Sequence, residues 1–284
     1  MKIILSRKGF DSAAGGVPSP IFPNGTMVSL PIPGKHSPIR YQDIRWNGNS
    51  LGPIVSDLTG GRIGATRRAH FDPDLNHLSL TRQNEWRPLF GQASAAQVHL
   101  ENQNVEQDDI FLFYGLFRKV VEQGGRLKFD ANEHAKHVIW GWLQIDRIIK
   151  VDSCDKNELA WAMYHPHFNG ISGRTNTVYI AKDKFTGLGS PNLSGAGVFA
   201  CYDARLQLTQ PGSTKVSIWQ LPKWFYPGRS KKYLSYHGDR DRWSRTKSYT
   251  ILRTVARGQE FVLHHSNDSE AKSWLRTVLS VRIQ

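Results

Sequence analysis

The chain has 284 residues, enough to bury a sizeable core in one large domain or two small ones. With 39% hydrophobic and 21% charged residues it reads as globular, which excludes a disordered chain, and no apolar run approaches the roughly 20 residues that cross a bilayer. A net charge of +13 favours a polyanionic partner, and nucleic acid is the usual one.

The first residues are too short for a signal peptide, so a soluble, cytoplasmic chain is expected. Cys154 and Cys201 stand apart in no metal-ligand spacing and read as free thiols. Nine Trp, nine Tyr and thirteen Phe beside so many cations suit a protein that holds unstacked bases. The plainer alternative is a basic protein with a Trp-rich core.

In chain order, Ile3-Ile4-Leu5 predicts a short buried strand that breaks into a charged, glycine-rich loop, Ser6-Arg7-Lys8-Gly9-Phe10-Asp11, continuing to Gly15-Gly16. It is neither a Walker loop nor a dinucleotide fingerprint. A loop of this kind on a rigid strand can carry a site, with Asp11 as its carboxylate. The alternative is a surface turn capped by Asp11. Residues 17–53 are rich in Pro, Gly and Asn, with Asn24-Gly25 a turn signal and Met27–Leu30 a predicted short strand. Residues 60–74 gather Arg62, Arg67, Arg68 and His70 ahead of Asp72-Pro73-Asp74. That grouping suits a phosphate clamp beside an acid-base group, a hard-cation site at His70, Asp72 and Asp74, or a simple turn.

A helix is predicted from about Ala93, with Gln92, Gln97 and His99 as polar hands around it. Ile110 to Val121 and His137 to Val151 predict two long strands, with Gly141 as a bulge. This pair resembles part of the small β-barrels of the PUA, ASCH and EVE type, which implies a base-holding barrel. Lys156–Met163 predicts a short helix running into His165-Pro166-His167, where alternation in an extended segment would put both histidines on one side. Thr177–Ala181 is another predicted strand. From Lys223 to Arg253 the chain interleaves Lys223, Arg229, Lys231, Lys232, Arg240, Arg242 and Arg245 with Trp224, Tyr226, Tyr236 and Trp243. Cations for phosphates and rings for stacking or wedging are what nucleic-acid binding needs. A last strand, with Gln259 and Glu260 at its start, precedes an amphipathic helix over 270–279, capped by Asp268 or Ser269. No linker divides the chain. The expectation is one α+β domain over residues 1–284, with a mixed, largely antiparallel sheet or partial β-barrel and a few flanking helices.

Several stretches together resemble a phage and bacterial family described as a nucleotide-modification-associated domain, the third of its series. They are Ser6–Asp11, His70–Leu75, Trp86–Gln92, Asp109–Arg118, His165–His167, Gly195–Phe199, Trp219–Pro222 and Gly258–Phe261, and they span nearly the whole chain. The family implies work on DNA bases without naming a reaction. The chain also resembles anti-phage DNA glycosylases that excise glucosylated hydroxymethylcytosine.

Together these point to a DNA glycosylase that flips a modified cytosine from double-stranded phage DNA and leaves an abasic site. The chemistry needs a carboxylate beside the sugar: Asp11 is the first choice and Asp72 the second. His165 and His167 complete the catalytic set. Ser6, Arg7, Lys8, Gly9, Phe10, His70, Gln92, Gln259 and Glu260 are expected to bind substrate, and Arg67, Arg68 and the 223–245 cations and rings to bind DNA. The chain is expected to act as a monomer, with no cofactor and no metal. The alternatives are a base-hypermodifying enzyme, a non-catalytic reader of modified bases, and a metal-dependent nuclease.

Overall fold

Two long apolar runs build the centre of the molecule, because strands buried on both faces read as continuous hydrophobic stretches. The computed structural model of the protein describes residues 1–188, 192–228, 234–256, 260–263 and 269–283. The strands run in chain order as β1 (Ile3–Arg7), β2 (Ser19–Ile21), the small pair β3 (Arg45–Trp46) and β4 (Asn49–Ser50), β5 (Leu89–Gln92) and the two central strands β6 (Ile110–Gln123) and β8 (Lys136–Lys150), with β7 (Arg126–Phe129) between them. They continue as β9 (Thr177–Ala181), β10 (Ala196–Val198), β11 (Ile218–Pro222), β12 (Trp243–Arg245), β13 (Tyr249–Arg253) and β14 (Glu260–Leu263). The helices are α1 (Gly52–Leu58), α2 (Ser94–Asn102) and α3 (Ser269–Leu279). This is the α+β architecture expected.

The main sheet runs β14-β1-β6-β8-β9-β5, with β2 and β7 on β6 and β10 on β8. Its ladders are antiparallel except where β1 and β2 lie parallel to β6. A second sheet runs β11-β13-β12. The main sheet is not closed into a barrel. It curls far enough that its two end strands meet through side chains: Gln92 Nε2 on β5 donates to Glu260 Oε1 on β14 at 2.5 Å. Inside the curl Phe90, Phe111, Phe113 and Tyr179 pack ring against ring, with centroids 4.9–5.9 Å apart. A second core gathers Phe10, Leu30, Tyr41 and Val55 beneath the 17–70 excursion.

The expected bulge is present. Phe113 pairs with Gly141 but Tyr114 with Ile139, so Trp140 is the extra residue on β8. A bulge turns its side chain out of the ladder, here into the lining of a cavity beside Asp72.

Local expectations fail where short polar and apolar residues mix. Of Met27–Leu30 only Met27 pairs, in an isolated bridge to Ile21 instead of a strand. The helix expected over 156–163 shrinks to a 3₁₀ turn at Ala160–Ala162. The His-Pro-His segment is not extended: Pro166 starts a 3₁₀ turn, Pro166–Phe168, which its fixed φ favours. Helix α1 was not foreseen, although Pro53 in its first turn marks a helix start. Among the described residues no helix is long and apolar enough to cross a membrane.

His137, on β8, is buried and accepts a hydrogen bond from Trp219 Nε1 through Nδ1 at 3.0 Å. Burial, helped by the Arg7 charge, lowers it from an ordinary 6.5 to about 3. The unfolded chain therefore takes up this proton near 6.5 and the folded chain only near 3, so stability falls as pH drops through that window. Urea unfolding should show a loss of about 2 kcal/mol from this group between about pH 7 and pH 5. His137→Gln should flatten that slope. An unchanged slope would refute it.

Candidate active site

Residues 70–74 cross the end of β5, and the backbone there is fixed twice. Asp74 and Leu89 exchange both N–H···O bonds, at 2.9 and 3.0 Å. The Asp74 carboxylate, fully buried, takes a bidentate pair from Arg82 at 2.6 Å on each oxygen, and the Tyr164 hydroxyl donates to Oδ2 at 2.5 Å. Burial first, then the Asp74 charge, keeps the Tyr164 hydroxyl protonated. Trp86 Nε1 donates to the same hydroxyl at 2.7 Å, and the Arg82 guanidinium lies over the Trp86 ring. Asp74 is thus saturated as an anchor.

Asp72 is different. Its peptide to Pro73 is cis, and three histidines surround its carboxylate. Oδ1 accepts from the Gly91 N–H at 2.8 Å and lies 3.2 Å from His165 Nε2. Oδ2 faces His70 Nε2 at 3.6 Å and His167 Nε2 at 3.7 Å. Burial alone would raise the Asp72 pKa. The His165 hydrogen bond, the approach of His70 and the nearby imidazoles outweigh it, holding the carboxyl well below the usual range. His167 is lowered to about 4, burial prevailing over the pull of Asp72. The 3₁₀ turn presents both histidines: the His167 N–H caps back onto His165 Nδ1 at 3.4 Å. Gly91 is required here, since a Cβ would lie 2.1 Å from His167 Cδ2. Gly34 does the same for His70, where a Cβ would meet its backbone at 2.7 Å.

Asp72 also lines an aromatic cavity with Gly9, Arg45, Trp46, Phe71 and Trp140. Sequence reasoning brought His70, Asp72, His165, His167 and Gly9 here, and the fold assembles them. It missed Gly91, Asn176, Trp46 and Trp140. The Gly in Leu-Phe-Gly-Gln and the Trp-Gly-Trp of the bulge were the available signals.

A second polar group forms inside the curl. Glu260 Oε1 accepts from Gln92 and pairs with Lys8 Nζ at 3.1 Å, while Lys8 lies over the Phe90 ring. Glu260 Oε2 and Ser6 Oγ are buried without a hydrogen-bond partner among the described residues. Successive strand residues point to opposite faces, so Gln92 carries this group on the other side of β5 from His167.

Other residues take structural places. Asp11 caps its own turn, accepting from the Ala13 and Ala14 N–H groups at 2.8 and 2.7 Å. Phe10 is core, edge-on to Tyr41. Arg7, at the end of β1, lends its charge to Tyr114 and His137. Arg67 and Arg68 are exposed, the latter bonding the Ser37 carbonyl. Trp243 is buried and donates to the His237 carbonyl, so it is no DNA wedge. Tyr236 is half exposed and stacks on His99. Arg242 is held by Asp239 and the Arg253 carbonyl. Lys223, Trp224, Tyr226, Arg240 and Arg245 share one open groove, with the Arg245 guanidinium over the Tyr226 ring. Arg229, Lys231, Lys232, Gln259 and the Asp268 cap lie outside the described residues.

No characterised protein and no solved structure matches the chain significantly. The sequence profile described as nucleotide modification associated domain 3 matches residues 2–264, and the chain belongs to that family.

Proposed function

We propose that the protein is an enzyme that excises a modified base, a glucosylated hydroxymethylcytosine, from phage DNA, with Asp72 at its reactive centre. The observation that carries this reading is a buried carboxylate ringed by three histidines on the wall of an aromatic cavity. Membership in a nucleotide-modification family directs the cavity toward a nucleobase.

In this reading a flipped base stacks among Trp46, Phe71 and Trp140, as single bases do on aromatic platforms. Its sugar comes against Asp72, whose negative charge favours the positive character that develops at C1′. Water adds its oxygen to C1′, and the C1′–N bond breaks with its electron pair staying on the base. The remaining proton of that water ends on the released base. The groove of Lys223, Tyr226 and Arg245 supplies cations and rings for the flanking strand.

The test is incubation with DNA carrying glucosylated hydroxymethylcytosine and with unmodified DNA, in buffer containing Mn²⁺ or Zn²⁺. Alkali-labile breaks confined to the modified DNA are expected. Their absence from both would end the excision reading.

A further inference from the structure

We propose that His70 Nε2, Asp72 Oδ2 and His167 Nε2 are the protein ligands of a divalent transition-metal ion. This goes beyond the excision reading and does not rest on it, because it follows from how the cluster is wired whichever reaction the cavity hosts.

The wiring assigns each atom of the carboxylate a separate task. Oδ1 is committed to the Gly91 N–H and to His165. Among the described residues Oδ2 is approached by two imidazole nitrogens, at 3.6 and 3.7 Å, both beyond ordinary hydrogen-bond length. The three ligand atoms lie within 4.8 Å of one another. Two ligands each about 2.1 Å from a common ion sit about 3.0–3.4 Å apart, so each imidazole nitrogen would move toward Oδ2 by only a few tenths of an ångström.

The tautomer of His167 makes the case stronger. Asn176 Nδ2 donates to the His167 and Ile171 carbonyls, at 2.8 and 2.9 Å. Its Oδ1 is therefore the acceptor facing His167 Nδ1 at 2.7 Å, and Nδ1 must carry the hydrogen. In the neutral ring Nε2 is then a lone pair aimed at a carboxylate oxygen. Two electron-rich atoms facing each other in a buried site repel unless a cation lies between them. A ligating histidine whose second nitrogen donates to an amide or carboxylate oxygen is the usual outer-shell arrangement of a metal site. His165 fits the same plan from behind: Nδ1 accepts from the His167 N–H, leaving Nε2–H to orient Oδ1.

The donor set indicates the ion. Two imidazoles and one carboxylate suit zinc, iron, manganese or cobalt, whereas calcium and magnesium prefer all-oxygen sites. Three protein ligands leave coordination positions open, which marks a catalytic site and not a closed structural one. Asp72 places those positions beside the cavity, and His70, with about a fifth of its side chain exposed, gives the ion a route in. Asp74, the third ligand suggested by its spacing in sequence, is excluded by its commitment to Arg82 and Tyr164.

The experiment uses the full chain after chelator treatment and dialysis, titrated with Zn²⁺, Mn²⁺ and Co²⁺ by calorimetry in the absence of DNA. One ion per chain is expected, with Co²⁺ giving visible d–d bands of a nitrogen- and oxygen-ligated centre. His70→Ala, at the least buried ligand, should weaken binding at least 100-fold while keeping the circular dichroism of the parent. The exposed His134→Ala should bind as the parent does. No uptake by the parent, or equal uptake by His70→Ala, would overturn the site. Base release is not the readout, so this assignment and the excision reading fail separately.

Discussion

Replacing Asp72 with Asn should lower base release by about 10³-fold or more while the protein stays folded. The substitution keeps the shape and lets the amide oxygen still accept the Gly91 N–H at the Oδ1 position. What it removes is the negative charge that His70, His165 and His167 surround. A purely structural role predicts the reverse pattern: lost stability with residual activity in proportion to the folded fraction. The informative pair of measurements is thus the single-turnover rate on modified DNA and the thermal midpoint. A rate within tenfold of the parent would remove Asp72 from the reaction. Asp11→Asn serves as the contrast, since Asp11 holds a turn through two backbone N–H groups and should leave the rate near that of the parent.

The largest loss of stability should follow Arg82→Met, about 3–5 kcal/mol by denaturant unfolding. Asp74 has no exposure, and Arg82 supplies both of its charge-assisted bonds. Without the guanidinium the buried carboxylate keeps the Tyr164 hydroxyl, and a lone buried charge costs far more than the pair contributes. The double variant Arg82→Met, Asp74→Asn should recover part of the loss, because the charge is removed along with its partner. A loss under about 1 kcal/mol, the value of an exposed ion pair, would contradict the account. The effect should reach the active centre as well. Asp74 ties residues 72–74 to Leu89 on β5, and two residues further along that strand the Gly91 N–H reaches Asp72.

Much of the scaffold was legible in the sequence for a simple reason. The apolar runs at 110–121 and 137–151 have to be buried on both faces, and they became the two central strands of the sheet, with the bulge beside Gly141 where a glycine interrupts the second run. The closing helix was equally plain from its spacing. The site was legible in its parts: His70-Phe-Asp72 and His165-Pro-His167 each stood out as chemistry-bearing residues. Their meeting was not, because it depends on a glycine at 91 thin enough for an imidazole to lie against it and on a curl that no local pattern encodes.

The choice between Asp11 and Asp72 shows the limit most clearly. Both directly follow a phenylalanine in a polar stretch, and both are carboxylates near cations. Only three-dimensional contacts separate a side chain that caps its own loop from one that three distant histidines face. The basic, aromatic stretch after Lys223 divided in a similar way. Lys223, Tyr226 and Arg245 remain at an open groove, whereas Trp243 was drawn into the core, where its indole N–H finds a carbonyl. Composition announces such a surface but does not say which rings the core will claim.

The most direct test of the Asp72-centred account is mass spectrometry of the products after incubation with DNA carrying glucosylated hydroxymethylcytosine. The account predicts free modified base in the filtrate, equal in amount to the abasic sites left in the DNA, and neither with Asp72→Asn. Modified base that stays attached to its sugar at full yield, with the wild-type protein folded and bound to the DNA, would contradict it.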